Sequence, residues 1–71
     1  MTSIAEALMS GAQLLNGAGV PEARREAGSL LSFILGKDRT FLISHTEDQL
    51  SDDVFRRFRE DVDRRASGEP L

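Results

Sequence analysis

The stretch Ser51-Asp52-Asp53-Val54-Phe55-Arg56-Arg57-Phe58-Arg59-Glu60-Asp61-Val62-Asp63-Arg64-Arg65 decides the fold class. Val54, Phe55, Phe58 and Val62 recur at three- to four-residue spacing, which puts them on one face of an α-helix. Ser51 suits the N-cap, and Asp52 and Asp53 complement the positive end of the helix dipole. The outer face places an acid four residues before a base in Asp52–Arg56, Asp53–Arg57, Glu60–Arg64 and Asp61–Arg65, an orientation that supports a helix. Arg64 and Arg65 fall in the last turn, where positive charge is favoured. Pro70 prevents resumption of the helix after Gly68.

A helix with one apolar stripe must bury it against other elements, and the preceding sequence supplies them. Ser3-Ile4-Ala5-Glu6 reads as a capping box, followed by Ile4, Leu8, Ala12 and Leu15 on one face. Gly17 and Gly19 stop this first helix. Pro21 is expected to open a second at its first position, with Glu22 beside it and Ala23, Ala27, Leu30, Leu31 and Ile34 as its stripe. Gly36 closes it. Gly28, in its middle, costs about 1 kcal/mol relative to alanine and is expected to mark a close helix crossing. Asp38 caps a short third helix carrying Phe41, Leu42 and Ile43. No partner strand is evident, so a strand there is not expected. Residues 45–49 read as a polar loop. The expectation is an all-α fold, a small four- to five-helix bundle, the fifth arising only if the last helix breaks near Arg64. Its expected core is Ile4, Leu8, Leu15, Ala27, Leu31 and Ile34 from the first two helices, with Phe41, Leu42, Phe55, Phe58 and Val62 from the rest.

The chain has 71 residues, enough for one domain with a small core. It has no cysteine, so packed helices alone must hold it together. Formal net charge is −3, which argues against direct nucleic-acid binding, although eight of the nine cations are arginine and a local basic patch is open. No apolar run approaches the roughly 20 residues of a membrane span, and the N-terminus has no basic leader with a long apolar stretch. A cytoplasmic protein with no membrane partner is the expectation.

Nothing in the sequence assembles a catalytic constellation. His45 is the single histidine and reads as a surface loop residue without a positioned partner. Asp52 and Asp53 are adjacent on a helix and diverge. Gly17 and Gly19 form a lone G-x-G with no strand before it, unlike a dinucleotide fingerprint. Ser29 follows Gly28 rather than aspartate and lies inside a helix, which separates it from the phosphopantetheine serine of acyl carrier proteins. Arginines come in pairs at 24–25, 56–57 and 64–65, and solvated helix faces account for most of them.

Two segments carry a family likeness. They are Ala18-Gly19-Val20-Pro21-Glu22-Ala23-Arg24-Arg25-Glu26-Ala27, continuing through Leu30, Leu31 and Gly36, and Arg64-Arg65-Ala66-Ser67-Gly68-Glu69-Pro70-Leu71. Asp38-Arg39-Thr40-Phe41-Leu42 and Gln49-Leu50-Ser51 fit the same pattern between them. In this order they resemble the N-terminal domain of HemK/PrmC-type protein-(glutamine-N5) methyltransferases. The resemblance implies a substrate-docking domain over residues 1–67. Residues 68–71 would begin a linker to a Rossmann-like domain that binds S-adenosylmethionine and carries an Asn-Pro-Pro-Tyr motif. Neither that motif nor a glycine-rich cofactor loop occurs here, so no catalytic, cofactor-binding or metal residue is carried over, and the chain looks like part of a longer protein. Implied partners are peptide chain release factors, whose Gly-Gly-Gln glutamine the family methylates, and the protein's own C-terminal methyltransferase domain. Arg24, Arg25 and Arg39 are the expected partner-binding residues. Arg64, Arg65, Glu69 and Pro70 are the expected junction, with Arg64 and Arg65 lacking partners inside this domain. The alternative is a free-standing helical adapter or a DNA-binding, helix-turn-helix-like bundle.

Overall fold

A computed structural model describes residues 2–68. In chain order the elements are β1 (Thr2–Ser3), α1 (Ile4–Gly17), α2 (Ala23–Leu35), α3 (Arg39–Ser44), β2 (Gln49–Leu50) and α4 (Asp52–Ala66). Helices dominate, as the periodicity predicts. Helix α4 runs through Arg64 without a break and ends at Ala66, so the described residues hold four helices.

Each predicted helix start but one is made. The Glu6 amide donates to Ser3 Oγ at 3.1 Å, and the Ser3 amide donates to Glu6 Oε1 at 3.0 Å, closing the capping box. The Ser3 amide, and then the Ser3 hydroxyl, hold the Glu6 carboxyl below its ordinary pKa. Asp38 accepts from the Phe41 amide at 2.9 Å, and Ser51 from the Val54 amide at 3.2 Å.

The exception is α2. It begins at Ala23, not at Pro21, and its N-cap Glu22 has a left-handed backbone (φ 54, ψ 46) with no side-chain cap. A left-handed residue cannot continue a right-handed helix, so Pro21 stays in the turn. The turn is set by Val20, whose amide donates to Leu15 O at 2.9 Å while its side chain is buried. Gly19 (φ 80) makes that reversal without steric cost.

Residues 45–49 are not simply loop. Gln49–Leu50 pairs antiparallel with Thr2–Ser3, in the register Thr2↔Leu50 and Ser3↔Gln49. Beyond the pair, the Ile4 amide donates to Asp48 O and the Ala5 amide to Thr46 O, both at 2.9 Å. A helix start leaves its first amides without intrahelical acceptors. Here the 46–50 segment accepts from two of them, and the cap residue Ser3 from a third. That need, together with burial of Leu50, draws the segment onto α1.

Helices α1, α2 and α4 pack on one another, and α3 lies against α2. Phe58, Ile4, Leu15, Leu31 and Val62 are fully buried at the centre, with Ala7, Ala27 and Leu42 beside them. Leu8, Ile34, Phe41 and Phe55, expected in the core, are only partly buried at its edge, while Ala7, Val20, Ala23 and Leu50 join it. The close crossing lies at Gly11 rather than Gly28. A β-carbon on Gly11 would meet Phe58 Cζ at 2.7 Å and Val62 Cγ2 at 3.4 Å. One on Gly28 would meet only the Arg39 guanidinium, its Nη2 at 3.4 Å. The largest core side chain needs the smallest residue opposite it, and Phe58 sits over α1.

The ion pairs also depart from expectation. On α4 the pairs formed are Asp53–Arg56, at 3.2 Å, and Asp61–Arg64, both three residues apart rather than four. Arg65 leaves its own helix. Its Nε and Nη2 donate to the two carboxylate oxygens of Glu26 on α2, at 2.8 and 3.0 Å. Both side chains are about four-fifths covered, at 21% and 19% exposure. The planar fork of arginine matches a carboxylate in this two-pronged way. Glu26 holds the Arg65 proton more firmly than usual, raising its pKa. Arg64 and Arg65 therefore have partners inside the domain, contrary to the expectation that they lack them. Glu69 and Pro70, including the helix stop at Pro70, lie outside the described residues.

Candidate functional site

Helix α1 carries apolar residues on more than its core face. Ile4, Ala7, Gly11 and Leu15 point inward. Beside them runs a second stripe of Ala5, Leu8, Met9 and Ala12, continued by Gln13 and Asn16. The reversal at residues 18–22 brings Ala23 and Arg24 of α2 alongside this stripe, and Thr46 closes the other end. The result is a solvent-open groove of about 820 Å³ with an apolar floor and a polar rim. Met9 stands 64% exposed within it. A flexible thioether at an open groove adapts to partners of different shape.

The expected partner-binding arginines do not form one cluster. Arg24 lines the groove. Arg25 is exposed and lies 3.7 Å from Glu22, a weak pair with both side chains 69% exposed. Arg39 reaches across Gly28 and donates through Nη2 to Arg25 O at 2.9 Å. The Arg39 guanidinium thus meets the backbone of Arg25, whose own side chain lies beside Glu22, while Arg24 lines the groove. Among the described residues Arg24 makes no ion pair. Of the expected junction residues, Arg64 sits exposed beside Asp61, and Arg65 is bound to Glu26.

Sequence reasoning placed Leu8 and Ala12 of the groove floor on the core face and did not single out Ala5 and Met9. The floor's signal was present: Ala5, Leu8, Met9 and Ala12 repeat at three- and four-residue spacing one step from the core stripe. Which of two adjacent stripes meets the core cannot be read from spacing, because both satisfy the helical period.

His45 is not free on a loop. It caps the end of α3, its Nδ1 lies 2.9 Å from Phe41 O, and its ring stacks on Phe41 with centroids 3.9 Å apart. Among the described residues no three of His, Cys, Asp or Glu gather where a metal ion could be held. None of the described helices is long and apolar enough to cross a membrane. The groove offers shape, one apolar floor, one cation in Arg24 and one anion in Glu22. These suit binding, and no nucleophile stands beside a base in it.

The chain matches the family model described as the PrmC N-terminal domain over residues 6–71. No curated protein and no solved structure matches the chain.

Proposed function

Because this chain belongs to the PrmC N-terminal domain family, we propose that it is the release-factor docking domain of a protein-(glutamine-N5) methyltransferase acting in the cytoplasm. It holds a peptide chain release factor so that the glutamine of the factor's Gly-Gly-Gln loop reaches a separate catalytic domain. That domain binds S-adenosylmethionine and carries the Asn-Pro-Pro-Tyr motif, and the present chain binds no cofactor of its own. Contacts remote from the reacting atom help catalysis by fixing orientation before the chemical step. Arg24, Arg25 and Arg39 contribute to the docking face, and Arg64, Arg65, Glu69 and Pro70 to the side facing the methyltransferase domain.

The observation that carries this reading is the family match along residues 6–71. The groove supports it, since an open groove suits a macromolecular partner better than an enclosed small-molecule site. The DNA-binding alternative gains nothing from α3. That helix has six residues, buries Leu42 and engages its one arginine, Arg39, with α2.

The test is an amide-shift titration of the isotopically labelled chain with a bacterial release factor. Shifts on the first turns of α2 and around Arg39 are expected, with weak affinity because tethering to a second contact surface is missing. No shifts at high micromolar factor overturns the reading for this chain on its own.

A further inference from the structure

The groove between α1 and the start of α2 has a definite chemistry, and it points to the kind of segment that fills it. Its floor follows residues 5–16, which rise about 16 Å along α1, or three helical turns. That length matches an amphipathic helix presenting apolar side chains at three- and four-residue spacing, the pattern of helix-in-groove recognition. The exposed Met9 and the partly buried Leu8 and Ala12 make the apolar track.

Charge sets the polarity of the occupant. Two charged side chains line the groove, Glu22 and Arg24. The Glu22 carboxylate is directed to Arg25, whereas Arg24 has no ion pair among the described residues. Arg24 also sits in the first turn of α2, where the dipole is positive and no side chain caps the helix. Arg24 is thus the groove-lining side chain that a partner carboxylate can engage, beside Glu22, whose exposed carboxylate lies 3.7 Å from Arg25.

We propose that the groove receives an amphipathic helix of the protein partner, its apolar side chains over Leu8, Met9 and Ala12 and a carboxylate on Arg24. This rests on the docking reading above and adds where the partner sits and what it must carry. Phe33 and Ile43, exposed at 80% and 71%, lie on α2 and α3 and are not part of this surface.

The experiment uses the labelled chain with two synthetic helical peptides. One carries two leucines four residues apart and a glutamate one turn further on. The other has lysine in place of that glutamate. The glutamate peptide is expected to shift the amides of Leu8, Met9, Ala12 and Arg24, and to bind about fivefold more tightly than the lysine peptide, the range of one exposed ion pair. Arg24→Glu should reverse this preference and Met9→Asp should abolish binding of both, with the helical circular dichroism of each variant unchanged. Equal binding of the two peptides, shifts centred on Phe33 and Ile43, or no shifts at the groove would overturn the proposal. So would concentration-dependent shifts of the groove amides without peptide, which would identify a second copy of the chain as the occupant. A release factor that shifts amides elsewhere and leaves the groove untouched refutes this inference but not the docking reading. A groove that takes the glutamate peptide while release factor binds nowhere refutes the docking reading alone.

Discussion

Replacing glycine by alanine inside a helix should act with opposite sign at two positions of this chain. In both α1 and α2 the substitution gains about 1 kcal/mol of helix propensity. At Gly11 the new methyl would lie 2.7 Å from Phe58 Cζ and 3.0 Å from Cε2. Phe58 is fully buried, so its ring has no free volume to move into. Overpacking of this kind costs about 1–3 kcal/mol, and the clash sits at the short end of contact distance. With the cost in the upper half of that range, Gly11→Ala should lose a net of about 1–2 kcal/mol, lowering the melting temperature by roughly 4–16 °C in a domain of this size. At Gly28 the methyl would meet only the Arg39 guanidinium, its Nη2 at 3.4 Å, close to ordinary contact with the end of an exposed side chain that also donates to Arg25 O. Gly28→Ala should keep most of the propensity gain and stabilise by about 0.5 kcal/mol. Thermal and urea unfolding followed by circular dichroism measures both. Phe58→Leu added to Gly11→Ala should couple favourably in a double-mutant cycle, because the shorter side chain frees the space that the methyl needs. A Gly11→Ala protein as stable as the parent, or additive behaviour with Phe58→Leu, would refute the steric account.

Three further outcomes are expected. Phe58→Ala should cost about 3–5 kcal/mol, a large part of the roughly 4–10 kcal/mol available to a domain this size, so urea titration should find it largely unfolded at 37 °C. Arg65→Met should lower the urea midpoint more than Arg56→Met does, since Arg65 ties α4 to α2 through a mostly covered pair whereas Arg56 joins an exposed acid on its own helix; equal midpoints would mean that the α2–α4 pair adds nothing. The third concerns pH. The Glu6 carboxyl has a pKa below its ordinary 4.5, so the stability from its ionised form is complete above that value and is lost as pH falls through the lower, folded-state value. Denaturation midpoints measured from pH 6 down to pH 2 should decline less steeply at the acid end for Glu6→Gln than for the parent chain.

The chain's own sequence determined the helices and most of their ends. Ser3, Asp38 and Ser51 cap where hydroxyl and carboxylate chemistry says they should, because capping is a local bond between residues three apart. The apolar stripes likewise picked out Ile4, Leu15, Ala27, Leu31, Phe58 and Val62, all buried. Tertiary packing decided whatever depends on residues distant in sequence. The start of α2 moved to Ala23 because burial of Val20 fixed the turn before it. Residues 46–50 were drawn onto α1 because its first amides needed acceptors. Gly11, not Gly28, became the crossing point because Phe58, 47 positions away, fills that space. Arg65 turned from Asp61 to Glu26 because a long side chain near a helix end reaches a neighbouring helix as readily as its own. The groove belongs with these. A sequence can show that α1 has apolar residues on two adjacent faces, but only the placement of α2 and α4 determines which face is buried and which is left for a partner.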